Sequence, residues 1–236
     1  MLIDLHNHTG WGSGCSHLEP TVLVERAKCW GLDGVAITEH NQIWDPGKIN
    51  MLRRRTDLAV LAGVEVDTDV GHVLAFGLEG PFRWSQLPTL EELRVLVDEV
   101  GGALVVAHPF RDPRINGLDR GFCKGQPELE RLGIVDAVEV HNGLAGAEQR
   151  VKATEMARLL EKPTTGGSDT HRFMDVATSF TVFEDDIRDE EDLVAAIKSG
   201  RCHGGDWASE DLPNKRIADL TNPRRSSTPI QATKGA

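Results

Sequence analysis

Short apolar runs recur along this chain, each bounded by turn residues and separated from the next by stretches of helical periodicity. Residues 2–7, 34–38, 59–66, 103–107, 137–141 and 179–183 read as strands. Residues 72–77 read as a further strand, joined to the third by a hairpin turn at Thr68-Asp69-Val70-Gly71. Val22, Leu23, Arg26, Ala27 and Trp30 share one face of a helix that stops before Gly31. Thr89-Leu90-Glu91-Glu92 has the spacing of a capping box and starts a second helix. Residues 145–160 form a long amphipathic helix, and residues 189–199 a last one, ended by Gly200. Strands alternating with helices predict an α/β fold around a largely parallel sheet.

The polar residues at the strand ends change the picture from a fold to a site. His6-Asn7-His8, Glu39-His40, Glu65, His72, His108, His141 and Asp169-Thr170-His171 each follow or end one of these runs. In a parallel sheet the carboxyl ends of the strands meet at one rim, so these groups are expected to converge. The chain has 9 histidines, and all but His17 and His203 stand at these positions. His6 and His8 are two apart, which on a strand places both rings on one face, and Asp169-x-His171 repeats the spacing. Glu65 can bridge two cations, which an imidazole cannot. Taken singly, each motif also fits an ordinary hydrogen-bonded strand end or turn; together they point to a polynuclear metal centre. Imidazole with carboxylate suits zinc, manganese or iron, without choosing among them.

Composition sets outer limits. A chain of 236 residues fits one barrel-sized domain or two small ones. A net charge of −11 disfavours general affinity for nucleic acid or an anionic membrane surface. The apolar runs are too short to span a bilayer. The start of the chain lacks a basic region followed by a cleavable apolar stretch, and Cys15, Cys29, Cys123 and Cys202 are scattered without a Cys-x-x-Cys pair, which predicts reduced thiols and a cytoplasmic location. From about Leu212 the sequence turns polar and aperiodic, so residues 1–211 are read as one domain and 212–236 as a flexible tail.

The motifs, in their order, resemble the PHP (polymerase and histidinol phosphatase) family. The residues that carry the likeness are Asp4-Leu5-His6-Asn7-His8-Thr9, Gly31 through Asn41, Gly63-Val64-Glu65, Gly71-His72-Val73-Leu74, Ala107-His108-Pro109, Glu139-Val140-His141-Asn142-Gly143 and Gly167-Ser168-Asp169-Thr170-His171. The resemblance implies a distorted seven-stranded (β/α) barrel with two or three divalent metal ions (manganese, zinc or iron) at the carboxyl rim. It also implies hydrolysis of phosphoric esters, with a small phosphorylated metabolite as substrate. Carried across, one ion takes His6, His8, Glu65 and Asp169. Glu65 bridges to an ion held also by His72 and His108, and the remaining ion takes His40 and His171. The family commonly has an acidic ligand in the loop after the first strand; here Cys15 stands there, with His17 as the other option. His141 is open between a ligand, a partner of a ligand and a proton donor to the leaving group. Glu39 is expected to orient His40 or a water rather than to ligate. Arg111 and Arg172 follow ligand motifs and are expected near the rim, Arg111 ahead as a fork of donors for phosphate. Two other readings stay open: an amide or lactone hydrolase on the same metals, and a non-catalytic metal-binding module.

Overall fold

A computed structural model describes residues 1–80, 82–83, 87–111 and 126–209. The tail at 212–236, Cys123, and all of the 111–126 connection except its ends, expected as a long rim loop, lie outside the described residues. The elements, in chain order, are β1 (Leu2–Asp4), α1 (Pro20–Cys29), β2 (Gly34–Ile37), β3 (Gln42–Ile43), α2 (Pro46–Arg53), β4 (Ala59–Thr68), β5 (Gly71–Phe76), β6 (Phe82–Arg83), α3 (Leu90–Glu99), β7 (Ala103–Val106), α4 (Gln126–Leu132), β8 (Ala137–Asn142), α5 (Ala147–Leu160), β9 (Thr164–Gly167), β10 (Ser179–Phe183), α6 (Glu190–Ser199) and β11 (Cys202–Asp206).

The nine-stranded sheet has the order β11-β10-β1-β2-β4-β5-β7-β8-β9. Seven of these strands, β1, β2, β4, β5, β7, β8 and β9, curl into a nearly closed barrel. Closure comes where the chain after β9 returns to the end of β1: Asn7 bridges Thr170 in parallel, His8 N donates to Thr170 O at 3.0 Å, and Asp169 N donates to His6 O at 2.8 Å. All the barrel strands but one run the same way. The exception is β5, antiparallel to both β4 and β7, as the hairpin signal at 68–71 requires. β10 runs against β1 and β11 against β10, so the carboxyl end of β11 lies at the same rim as that of β1.

Alternation along the strands sorts their side chains into layers. Ile3, Leu5, Ala36, Leu61, Leu74 and Val105 fill the interior, and the same cluster continues onto Leu193 and Ile197 of α6. That helix closes the mouth opposite the donor rim: Val194 packs at Gly77, beyond the end of β5, and Lys198 Nζ donates to Gly101 O just before β7. Outside the barrel, α1 and α2 cover Val35, Ile37 and Val60, while α3 and α5 cover Val64, Val66, Val106 and Val138. The capping box at α3 forms as expected, with Thr89 Oγ1 accepting from Glu92 N and Glu92 Oε2 accepting from Thr89 N. Six elements were not read from the sequence: β3, β6, β9 and α4, together with α2, which begins at Pro46 behind an Asp45 cap, and β11, which occupies a glycine-rich stretch.

Candidate metal centre

The chain reverses or bends sharply at several strand ends, and these are the points where donors enter the barrel mouth. His108 (φ 28°) and Asp169 (φ 53°) both take the left-handed region that side chains other than glycine avoid, a strain that concentrates at functional positions. Close approach of β1 and β9 depends on Gly167, where a Cβ would stand 2.4 Å from His6 Cβ and 2.7 Å from His6 N.

Glu65 lies at the centre, 1% exposed. Its Oε1 is 3.3 Å from His6 Nε2, 2.8 Å from His72 Nδ1 and 2.9 Å from His108 Nε2. Its Oε2 is 3.1 Å from His8 Nε2 and 3.0 Å from His40 Nδ1. Asp169 mirrors it across the mouth: Oδ1 lies 3.7, 3.4 and 3.4 Å from His6, His8 and His171, and Oδ2 lies 3.6 Å from His108 and against the Arg111 guanidinium. The structure therefore brings together His6, His8, His40, Glu65, His72, His108, Asp169 and His171, with Arg111 reaching in. Cys15 joins them through a group formed with His8 and His40, whose ligating atoms all lie within 4.8 Å of one another. His17 is exposed and belongs to no such group among the described residues.

Two expected residues lie apart from these donors. Arg172 pairs with Asp175 at 2.9 Å and is 75% exposed. His141 Nδ1 stands 3.5 Å from Asp206 Oδ2, which also pairs with Arg150 at 2.7 Å. A β-bulge between Glu139 and His141 shifts the register of β8 against β9. Period two would put Glu139 and His141 on one face, whereas past the bulge it is Asn142 that turns inward, donating to Glu139 Oε2 at 3.0 Å and Asp169 Oδ2 at 3.2 Å.

Supporting groups set the ring tautomers. Glu139 Oε1 accepts from His6 Nδ1 at 3.0 Å, and the Asp169 carbonyl accepts from His171 Nδ1 at 2.8 Å. The Ser13 hydroxyl donates to Glu39 Oε2 at 2.5 Å and so accepts from His8 Nδ1 at 3.2 Å. Glu39 thus acts on His8 through Ser13, and on the His40 backbone N–H, which also donates to Ser13 Oγ. With protons fixed on Nδ1, His6 and His8 turn the lone pairs of their Nε2 atoms towards each other at 3.2 Å and towards carboxylate oxygens.

That arrangement needs positive charge. Glu65 Oε2 and Asp169 Oδ1 are buried without a hydrogen-bond partner, although imidazole nitrogens lie close by. Burial opposes a charge on His6, yet Glu139 and Glu65 push its pKa up to about 10; burial likewise opposes charge on His40, and Asp67, Cys15 and Glu65 raise it to about 10. Burial would raise Glu65, but the charge of His6 and hydrogen bonds from His108 and His6 hold it well below the usual carboxylate range. Burial keeps His108 neutral, its pKa down at about 4. Partial burial pushes the Cys15 thiol up, and contacts with His171 and His40 outweigh this and bring it to about 6. A set of facing lone pairs and unpartnered carboxylate oxygens fits divalent cations, and these side chains could hold more than one.

Asp67 is the donor that sequence reasoning missed. Its Oδ1 lies 3.2 Å from His72 Nε2 and 3.7 Å from His40 Nδ1, and with those two rings it forms a further ligand group. The signal was present: Glu65-x-Asp67 has the same spacing as His6-x-His8. Trp11 and Trp44 stack on each other at 5.7 Å, with Lys48 Nζ 5.5 Å from the Trp44 ring. No helix among the described residues is long and apolar enough to cross a membrane.

Known proteins share this architecture. The family model described as PHP-associated matches residues 148–202. The uncharacterised protein MJ1587 of Methanocaldococcus jannaschii is 30% identical over 168 residues, which is 64% of this chain and 95% of that protein. A two-domain protein of Bacteroides vulgatus containing a predicted PHP-like metal-dependent phosphoesterase superposes with a TM-score of 0.68 at 18% identity, over 93% of this chain and 68% of that one. An amidohydrolase of Chromobacterium violaceum superposes with a TM-score of 0.56 at 18% identity, over 72% of this chain and 87% of that one. Fold, order of donor motifs and sequence relationship agree: this chain belongs to the PHP family.

Proposed function

We propose that the protein is a metal-dependent phosphoesterase acting on the phosphomonoester of a small metabolite. The observation that carries this reading is Glu65, whose two oxygens face two separate sets of imidazoles, as a carboxylate shared by neighbouring cations must. His6, His8 and Asp169 would hold one ion with Glu65; His72 and His108 would complete a second; His40 would serve a third with His171 or Cys15. When bound, such ions lower the pKa of water and neutralise phosphoryl charge.

The chain's own residues supply the rest. Arg111, seated against Asp169 at the end of β7, offers a planar fork of donors that orients phosphoryl oxygens. Asn142 holds Glu139 and Asp169 in place, and Glu139 in turn holds the His6 tautomer. The chain contains no tyrosine, so an imidazole is the natural proton donor for the departing oxygen. His141 does not take that role from its observed place, since past the bulge its ring lies beside Asp206, apart from the donors.

A panel of phosphomonoesters, phosphodiesters, amides and lactones, each assayed with manganese, zinc and iron, tests the reading. Turnover confined to monoesters supports it. Cleavage of amides or lactones without ester turnover identifies a hydrolase of the other class on the same donors. Stoichiometric metal with no turnover of any substrate identifies a non-catalytic module.

A further inference from the structure

Among the described residues, the donors of the mouth are nitrogen and oxygen, save one. We propose that Cys15 is a thiolate ligand that joins His40 and Glu65, against the His8 ring, in a softer metal position, one that selects zinc or ferrous iron over manganese or magnesium.

The loop carrying Cys15 is anchored on both sides of it. Gly10 N donates to Leu18 O at 2.9 Å, closing the base. Before Cys15, the Ser13 hydroxyl binds Glu39, His8 and the His40 backbone. After it, Ser16 Oγ donates to the carbonyls of His8 and His171, each at 3.1 Å. Gly12 lets Glu39 pass beneath, since a Cβ there would meet Glu39 Cγ at 2.4 Å. The backbone is thus held on both sides of Cys15, and its exposed Sγ falls within 4.8 Å of donor atoms of both His8 and His40. Those two rings stack at 4.5 Å, so they present their edges to a common point.

A separate observation points to a cation there. Glu65 Oε2, in a residue 1% exposed, has no hydrogen-bond partner, yet it stands 3.1 Å from His8 Nε2 and 3.0 Å from His40 Nδ1. One sulfur with an imidazole nitrogen and a carboxylate oxygen makes a mixed donor set of the kind zinc accepts. Thiolate favours zinc and iron, while magnesium and manganese favour oxygen. The other groups, built on Asp67 with His72 or on Asp169 with His6, contain no sulfur, so one mouth would offer positions of two different characters.

This inference rests on the metal centre of the proposed function and not on its ester chemistry. The test uses the full-length protein, stripped of metal and titrated anaerobically with cobalt(II). A thiolate-to-cobalt charge-transfer band in the near ultraviolet is expected in the parent and lost in Cys15→Ser and Cys15→Asp, while the visible d–d bands of cobalt at the other positions persist. Zinc should also protect Cys15 from alkylation in the unmodified protein, read by peptide mass spectrometry, which keeps the test decisive if a variant misfolds. Cobalt binding without the charge-transfer band, a band that survives in Cys15→Ser, alkylation of Cys15 unaffected by zinc, or no cobalt binding at all each overturns the assignment. An absent ester activity with the band intact leaves the thiolate standing and removes only the proposed reaction. Activity without the band removes only the thiolate.

Discussion

Ser13→Ala removes one oxygen atom from a buried relay, and the structure says what that atom holds. Its hydroxyl donates to Glu39 Oε2 at 2.5 Å and accepts from His8 Nδ1 and the His40 backbone N–H, each at 3.2 Å. Each neutral bond contributes about 1 kcal/mol, and the bond to the carboxylate about 1.5–3 kcal/mol. Glu39 keeps its contacts with Thr9 N and Oγ1, so the loss at that carboxylate falls at the low end. A net destabilisation of about 3–4 kcal/mol follows for the metal-free protein, which for a chain of this size lowers the melting midpoint by about 6–16 °C. The second effect is on the ring. Without its acceptor, His8 Nδ1 no longer fixes the tautomer that turns Nε2 inward, and loss of such a partner weakens metal binding by about 10–100-fold. Thermal unfolding in chelator measures the first effect, and zinc competition against a chromogenic chelator the second. Zinc affinity within twofold of the parent, in a variant that folds, would falsify the relay.

Gly167→Ala forces a Cβ against His6 Cβ and the His6 backbone nitrogen; it should cost about 3 kcal/mol or more, seen as a large fall in melting midpoint or failure to fold, and a normal midpoint would refute the close approach. The pH dependence has a definite sign. His6 and His40, raised from 6.5 to about 10, contribute stability that is complete below about 6.5 and lost as pH climbs through about 10, so chelated protein should soften across that window. Over the same window metal affinity should rise, because a cation displaces those protons; calorimetry showing no proton release at about pH 8 contradicts this. His8→Ala and Asp169→Ala should abolish turnover, while Arg172→Ala, whose side chain is exposed and paired with Asp175, should leave kcat/KM within about twofold. Full activity in either ligand variant, or loss in Arg172→Ala, refutes the assignment.

Much of the site was legible because strands project side chains with period two and the motifs sit at strand ends. His6-x-His8 and Glu65 needed nothing more, and the hairpin signal at 68–71 delivered His72 to the mouth although β5 runs backwards. The same rule misled at β8, where the bulge after Glu139 hands the inward direction to Asn142 instead of His141. Asp67 escaped notice because it lies past the apolar run that marked the strand, although β4 continues to Thr68. Arg150 and Asp206 could not be anticipated as neighbours of His141, since their meeting depends on β11 folding back along β10. Arg172 follows a ligand motif, but its guanidinium turns to Asp175, a choice made by the local turn.

The reversal of β5 also limits how this barrel can diversify. Between β4 and β5 the donor mouth is spanned by Asp69 and Val70 alone, with Asp69 tied to Arg131 at 2.7 Å and to the first N–H of α3 at 3.0 Å. An insertion there would unfasten two helices as well as move Glu65 and His72. New recognition of a different ligand must therefore be grown elsewhere on the rim, after β1, β7 or β8, while this corner stays fixed through any change of specificity.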